Sequence, residues 1–101
     1  MKINMIWVIF LMPMLLSAQS GKVFDQLTLP SKILKMERKY GIYLPPGYDS
    51  SKRDYPVLYL LHGMSDDQTG WIQFGEVLQI TDAAIRAGTA TPMIIIMPDA
   101  D

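Results

Sequence analysis

Two short apolar runs, each preceded by a proline, constrain the fold of this chain more than any other feature. Residues 57–61 follow Pro56, and residues 93–97 lie between Pro92 and Pro98. Continuous apolar runs of this length are typical of strands that are covered on both faces in a parallel sheet. We therefore predict two buried parallel strands, the first of them central in the sheet.

The segment between these runs has the spacing of an amphipathic helix. One stripe repeats at intervals of three and four residues, and its members are Phe74, Val77, Leu78, Thr81 and Ile85. Gly88 follows where a glycine commonly ends a helix. Strand, helix and strand in this order predict a βαβ unit, and hence the α/β fold class.

Two more strands are predicted ahead of the βαβ unit. Residues 23–29 alternate imperfectly and stop at Pro30, whereas residues 36–44 alternate clearly between two faces. Both faces of the second segment mix polar and apolar residues, which favours a position near a sheet edge. The turn-rich residues 45–50 then end this strand.

The first eighteen residues have the organisation of a secretory signal peptide. Lys2 gives a positive start, residues 5–16 are apolar, and Ser17 and Ala18 are small. A spanning helix needs about 20 apolar residues, so this run is short for a stable membrane anchor. We predict that residues 1–18 are removed and that residues 19–101 form one secreted or periplasmic domain. An uncleaved N-terminal anchor is the alternative.

Composition excludes several classes of function. The net charge is −1 and no run of Lys and Arg is present, so no nucleic-acid partner is expected. The chain has no cysteine and one histidine, His62, which excludes disulfides, thiolate nucleophiles and multi-histidine metal sites. We expect no metal and no organic cofactor.

Two polar segments follow the predicted parallel strands. They are residues 62–67, His-Gly-Met-Ser-Asp-Asp, and residues 99–101, Asp-Ala-Asp. Ligands of open α/β sheets bind beyond the carboxyl ends of the strands. Because Gly63 has no side chain, a substrate could approach the backbone closely at that point.

Four blocks of sequence together resemble the Putative esterase family. They are Tyr-Leu-Pro-Pro-Gly-Tyr at 43–48, Tyr-Pro-Val-Leu-Tyr-Leu-Leu-His-Gly at 55–63, Trp71, and Pro-Met-Ile-Ile-Ile-Met-Pro-Asp at 92–99. This family includes esterase D and the feruloyl and acetyl-xylan esterases of carbohydrate esterase family 1. The resemblance covers residues 23–101 and implies the N-terminal part of an α/β-hydrolase fold.

The resemblance also implies a chemistry, namely hydrolysis of acetyl or feruloyl esters on plant polysaccharide through a serine acyl-enzyme. The expected partner is an acylated carbohydrate or a small ester. In the family the residue after His-Gly donates its backbone N–H to the oxyanion hole, which implies this role for Met64, next to Gly63. The family's nucleophile lies in a Gly-x-Ser-x-Gly turn, and an acid and a histidine follow it. The 101 residues contain no such turn, so we expect this polypeptide to be truncated before the nucleophile and inactive alone.

The remaining polar residues near these strand ends each have a structural interpretation. His62 precedes any nucleophile in the chain, so it is interpreted as an orienting or loop-packing residue, and it is kept as a candidate substrate contact. Trp71 is a candidate wall of the acyl or sugar pocket, with a core position as the alternative. Ser65 lacks the strand-turn-helix context of a nucleophile.

The acidic residues beside them point to loop structure more than to metal binding. Asp66 and Asp67 lack the ligand spacing of a calcium loop and are interpreted as a solvated, helix-capping pair. Asp99 and Asp101 are interpreted as substrate contacts or loop-stabilising residues.

Two rival functions remain open at this point. Acyl transfer or peptide hydrolysis could use the same framework, since a fold does not fix a function. A non-catalytic carbohydrate-binding protein is the other alternative.

Overall fold

The computed structural model describes residues 19–100, which fold around one mixed four-stranded sheet. The predicted signal peptide and Asp101 lie outside the described residues. Its elements, in chain order, are strands β1 (Lys22–Ser31) and β2 (Met36–Leu44), a short 3-10 turn (Tyr48–Ser50), strand β3 (Val57–Tyr59), helices α1 (Gly70–Gln73) and α2 (Val77–Ala87), and strand β4 (Ile94–Pro98). The sheet order is β1-β2-β4-β3.

The predicted βαβ unit is present, because β3 and β4 are parallel neighbours and α2 lies between them in the chain. Gly88 ends α2 as expected, with φ of 80° and its N–H directed at the carbonyl groups of Ala84 and Ile85. Phe74 is not part of this helix, so that member of the predicted stripe was wrong. Glu76, at φ 51°, separates α1 from α2, and Phe74 is 79% exposed before that break.

β2 lies near an edge of the sheet, as predicted, because it is the neighbour of the edge strand β1. It is not itself an edge strand, since it is antiparallel to both β1 and β4 and lies between them. β3 is not central within residues 19–100, where it pairs with β4 alone. Its residues Val57, Leu58 and Tyr59 are 48%, 44% and 68% exposed. A run of apolar residues indicates that both faces of a strand are to be covered, but it does not indicate which strands lie beside it in the sheet.

The core lies between one face of the sheet and α2. Its buried apolar members are Tyr43 on β2, Ile95 and Met97 on β4, and Val77 on α2. Alternation along β4 buries Ile95 and Met97 and leaves Ile96 only partly covered on the opposite face. None of the helices in residues 19–100 is long and apolar enough to cross a bilayer.

The buried carboxylate of Asp82 joins Gly21, near the start of the described residues, to this core by hydrogen bonds. Asp82 on α2 accepts the Tyr43 hydroxyl at 2.6 Å and the Gly21 N–H at 3.0 and 3.1 Å to its two oxygens. Burial, together with the hydrogen bond to the Asp82 carboxylate, raises the pKa of Tyr43 well above its usual value. The phenol therefore stays neutral and keeps donating over the ordinary pH range.

Candidate active site

The loop that leaves β3 begins with a tight turn at Gly63. Pairing with β4 continues as far as Leu60, whose N–H donates to the Ile96 carbonyl at 2.9 Å. The Asp66 N–H then donates to the Gly63 carbonyl at 3.2 Å, which closes a four-residue turn. Its third residue, Ser65, has φ of 67°, a value that type II turns require and that glycine usually supplies. A non-glycine residue held there marks local strain.

Met64 occupies the second position of this turn and is 96% exposed. Within residues 19–100 its N–H has no hydrogen-bond acceptor. No atom lies within 4 Å of where a Cβ on Gly63 would be, so the backbone is open to solvent here. The Gly63–Met64 peptide unit can therefore present a donor to a bound oxygen atom.

His62 uses both of its ring nitrogens within the protein. Nδ1 lies 2.7 Å from the Gly63 carbonyl oxygen, which can only accept, so Nδ1 carries the proton. Nε2 accepts the Ala100 N–H at 3.0 Å, and the imidazole is 5% exposed. This neutral ring joins the loop after β3 to the segment after β4, which agrees with an orienting role and leaves neither nitrogen for proton transfer.

Trp71 fastens the other end of the same loop. Its indole Nε1–H donates to the Leu61 carbonyl at 2.8 Å, and the side chain remains 39% exposed. Trp71 is thus attached to the framework and still presents a surface at the edge of the loop. Whether a substrate uses that surface stays a prediction.

Asp66 and Asp67 organise the start of α1. Asp67 Oδ1 accepts both the Thr69 Oγ1–H at 2.7 Å and the Thr69 N–H at 2.9 Å. These bonds lower the pKa of Asp67. The Asp66 carboxylate accepts the Asp67 N–H at 2.8 Å and fills the space beside Gly70, where a Cβ would collide with it. Neither carboxylate accepts an N–H of α1, whose N-cap residue is Thr69 and has no side-chain cap hydrogen bond, so the predicted helix-capping role was wrong. The two carboxylates stabilise the turn that precedes the helix.

Arg38 is a neighbour of this site that sequence reasoning did not single out. From β2 its Nη2 donates to the Asp99 carbonyl at 2.6 Å, and the Asp99 N–H donates to the Lys39 carbonyl at 3.0 Å. The Asp99 carboxylate lies 3.5 Å from His62 Nε2. Only the pairing of Tyr40 with Pro98 brings Arg38 to Asp99, and single-sequence patterns do not give that register.

These features define the class of protein as the α/β-hydrolase type. A mixed sheet carries a βαβ unit, and the open Gly63–Met64 peptide unit lies in the loop that follows its first parallel strand. Residues 31–101 match the family model described as Putative esterase. The chain belongs to this family.

Named relatives agree with that assignment. An endo-1,4-beta-xylanase/feruloyl esterase from Xylanibacter ruminicola is 34% identical over 77 residues, which are 72% of this chain and 11% of that protein. A solved ferulic acid esterase superposes with a TM-score of 0.77 at 40% identity, covering 81% of this chain and 32% of that one. A feruloyl esterase module from Clostridium thermocellum, solved as a serine-to-alanine mutant complexed with sinapinate, gives 0.69 at 27% identity, over 79% of this chain and 27% of that one.

The chain thus spans about a tenth of the first curated relative and about a third of the first solved structure. The residues that match the family model, 31–101, include the loop after β3 and the end of β4.

Proposed function

We propose that this chain supplies one half of the oxyanion hole of a secreted serine carboxylesterase. The observation that carries the proposal is the Gly63–Met64 peptide unit, whose carbonyl oxygen is held by two donors while its N–H is open. A donor fixed before the substrate arrives costs no reorganisation in the transition state. The family assignment supports ester hydrolysis as the reaction.

The proposed mechanism is acyl transfer to a serine. A histidine takes the proton of the serine hydroxyl as its oxygen attacks the ester carbonyl carbon, and the Met64 N–H and a second donor stabilise the resulting oxyanion. The ester C–O bond then breaks, and the histidine gives the proton to the leaving alcohol. Water then attacks the acyl-enzyme and releases the acid. The 101 residues contain no Gly-x-Ser-x-Gly turn, so the proposal assigns no turnover to them by themselves.

The proposed substrate is a feruloyl or acetyl ester of plant polysaccharide. Its support comes from relatives, because both a xylanase/feruloyl esterase and a ferulic acid esterase match this chain at 34% identity or more. A soluble enzyme that meets an insoluble polymer must leave the cell, which fits the proposed signal peptide. N-terminal sequencing of the exported protein tests that point, with Gln19 as the expected first residue.

The decisive experiment removes the Met64 N–H. Met64→Pro in the full-length protein deletes the donor at the second position of a type II turn, where proline is favoured. Loss of one oxyanion donor should lower kcat for methyl ferulate by about 10²- to 10³-fold. Met64→Ala is the matched control, since it keeps the N–H and should keep most of the activity.

Circular dichroism and thermal melting establish that both variants fold. A folded Met64→Pro enzyme with the kcat of the parent would exclude Met64 from the oxyanion hole. Absence of turnover of methyl ferulate and of aryl acetates by the full-length parent would exclude the proposed esterase activity itself.

A further inference from the structure

A line of three hydrogen bonds connects the Arg38 guanidinium to the peptide unit that carries the open Met64 N–H. Arg38 donates to the Asp99 carbonyl at 2.6 Å, the Ala100 N–H donates to His62 Nε2 at 3.0 Å, and His62 Nδ1–H donates to the Gly63 carbonyl at 2.7 Å. Each of these bonds places its donor on the Arg38 side and its acceptor on the Met64 side.

The links between these bonds are covalent. The Asp99 carbonyl and the Ala100 N–H belong to one peptide unit, and the Gly63 carbonyl and the Met64 N–H belong to another. A donor that binds a peptide carbonyl draws electron density toward that oxygen, which makes the N–H of the same unit a stronger donor. The neutral imidazole transmits the effect in the same sense, because it accepts at Nε2 and donates at Nδ1.

We infer that Arg38 is a positioning residue of the active site, acting on the Met64 N–H through the Asp99–Ala100 peptide and His62. The inference rests on the proposed oxyanion role of Met64. In this role the Arg38 charge orients and polarises the peptide unit that would contact the oxyanion.

The surroundings of His62 favour a proton on Nδ1 over a proton on Nε2. The imidazole is 5% exposed, and hydrogen bonds in such a low-dielectric place are electrostatically stronger than in water. The Asp99 carboxylate, 3.5 Å from Nε2, would favour a proton on that nitrogen. The Ala100 N–H opposes this, because it lies closer and needs Nε2 as an acceptor. Arg38 strengthens the Ala100 N–H and thereby keeps the proton on Nδ1.

The test compares Arg38→Met with Arg86→Met in the full-length protein. Arg38→Met keeps the length of the side chain and removes its charge and donors, whereas Arg86 lies exposed in the last turn of α2 and serves as the matched control. We expect kcat for methyl ferulate to fall about tenfold in Arg38→Met with KM unchanged, less than for outright removal of an oxyanion donor. Arg38→Lys should recover part of the loss, and Arg86→Met should equal the parent. Equal kcat in Arg38→Met and the parent would overturn the inference.

A spectroscopic measurement separates this inference from the proposed function. In ¹⁵N-labelled full-length protein, His62 should be protonated at Nδ1 and unprotonated at Nε2, and Arg38→Met should move the Met64 amide proton upfield. His62→Asn, which retains a donor near the position of Nδ1, should uncouple Met64 from Arg38, so that adding Arg38→Met causes no further shift. If the parent hydrolyses no ester but these shifts occur, the line of hydrogen bonds stands and the esterase proposal fails. A proton on His62 Nε2, or a Met64 amide proton shift that does not change in Arg38→Met, would overturn the proposed role of Arg38 even in an active enzyme.

Discussion

A methyl group added at Gly21 would collide with both backbone and buried side-chain atoms. A Cβ there would lie 2.6 Å from Asp82 Oδ1 and 2.7 Å from both the Leu44 carbonyl oxygen and Tyr43 Cε1. One of these atoms is backbone and the other two belong to the buried cluster that holds the start of the chain. Glycine is therefore required at this position by space alone.

We expect Gly21→Ala to lower the free energy of unfolding by about 1–3 kcal/mol, the usual cost of overpacking. Urea denaturation of the full-length protein measures this. Gly63→Ala is the matched control, because its Cβ would meet no atom within 4 Å, and it should stay within about 0.5 kcal/mol of the parent. Equal effects of the two substitutions would contradict the packing described for Gly21.

The role of a single residue was predictable from the sequence only where the residue belonged to a local motif. Resemblance brought Met64 forward as the oxyanion candidate, and the structure leaves its N–H open. Arg38 was not found, because its contact with Asp99 joins positions 61 residues apart. Asp82 was missed for a similar reason, since its partners lie on other elements and a lone acid on a helix gives no sign of burial.

The hydrogen bond between Tyr43 and Asp82 joins strand β2 to helix α2. Burial and the carboxylate raise the pKa of Tyr43 in the folded protein, while the unfolded value is about 10. A raised pKa contributes stability that is fully present below about pH 10 and is lost as the pH rises above it. The attachment of this helix to the sheet should therefore weaken in alkali.

Tyr43→Phe tests this linkage. At pH 7 the variant should be less stable by about 1–3 kcal/mol, because the buried Asp82 loses a donor. The difference from the parent should shrink above about pH 10, where only the parent still has Tyr43 to ionise on unfolding. Urea midpoints at several pH values measure it, and Tyr59→Phe, at a side chain 68% exposed, is the control. A difference that does not change with pH would argue against a raised pKa for Tyr43.

The elements themselves were largely predictable, because periodicity and turn residues are local signals. All four strands and α2 lie close to where the pattern placed them, and Gly88 ends the helix as expected. The strand ends differ, because β1 continues through Pro30 to Ser31 and β4 includes Pro98, whereas both prolines were expected to lie outside the strands. The neighbours of β2 and β3 were not predictable, since sheet order depends on contacts between distant segments. The break at Glu76 was also missed, because a glutamate at positive φ has no sequence signature.

At the scale of the whole molecule, the sheet carries apolar surface that residues 19–100 do not cover. On the face of the sheet that carries Ile96, a hollow of about 510 Å³ is lined by Tyr40, Tyr59 and Ile96 among others. An unpaired strand edge beside an apolar face is a template for association.

We therefore expect the 101-residue polypeptide, made by itself, to associate. Analytical ultracentrifugation over a range of concentrations measures this, and Leu58→Lys, which places a charge on the exposed edge strand, should reduce it. Lys52→Arg, at an exposed loop position, is a control that should change nothing. A cooperatively melting monomer of the parent polypeptide would contradict the expectation.

The burial of Gly21 also has a practical consequence for producing this protein. If residues 1–18 are removed as predicted, Gly21 is the third residue of the mature chain, and its N–H is bound to Asp82. An affinity tag or display partner that replaces residues 1–18 needs a flexible spacer of its own. Without one, the fused partner would pull on the contact that holds the first strand and the long helix together.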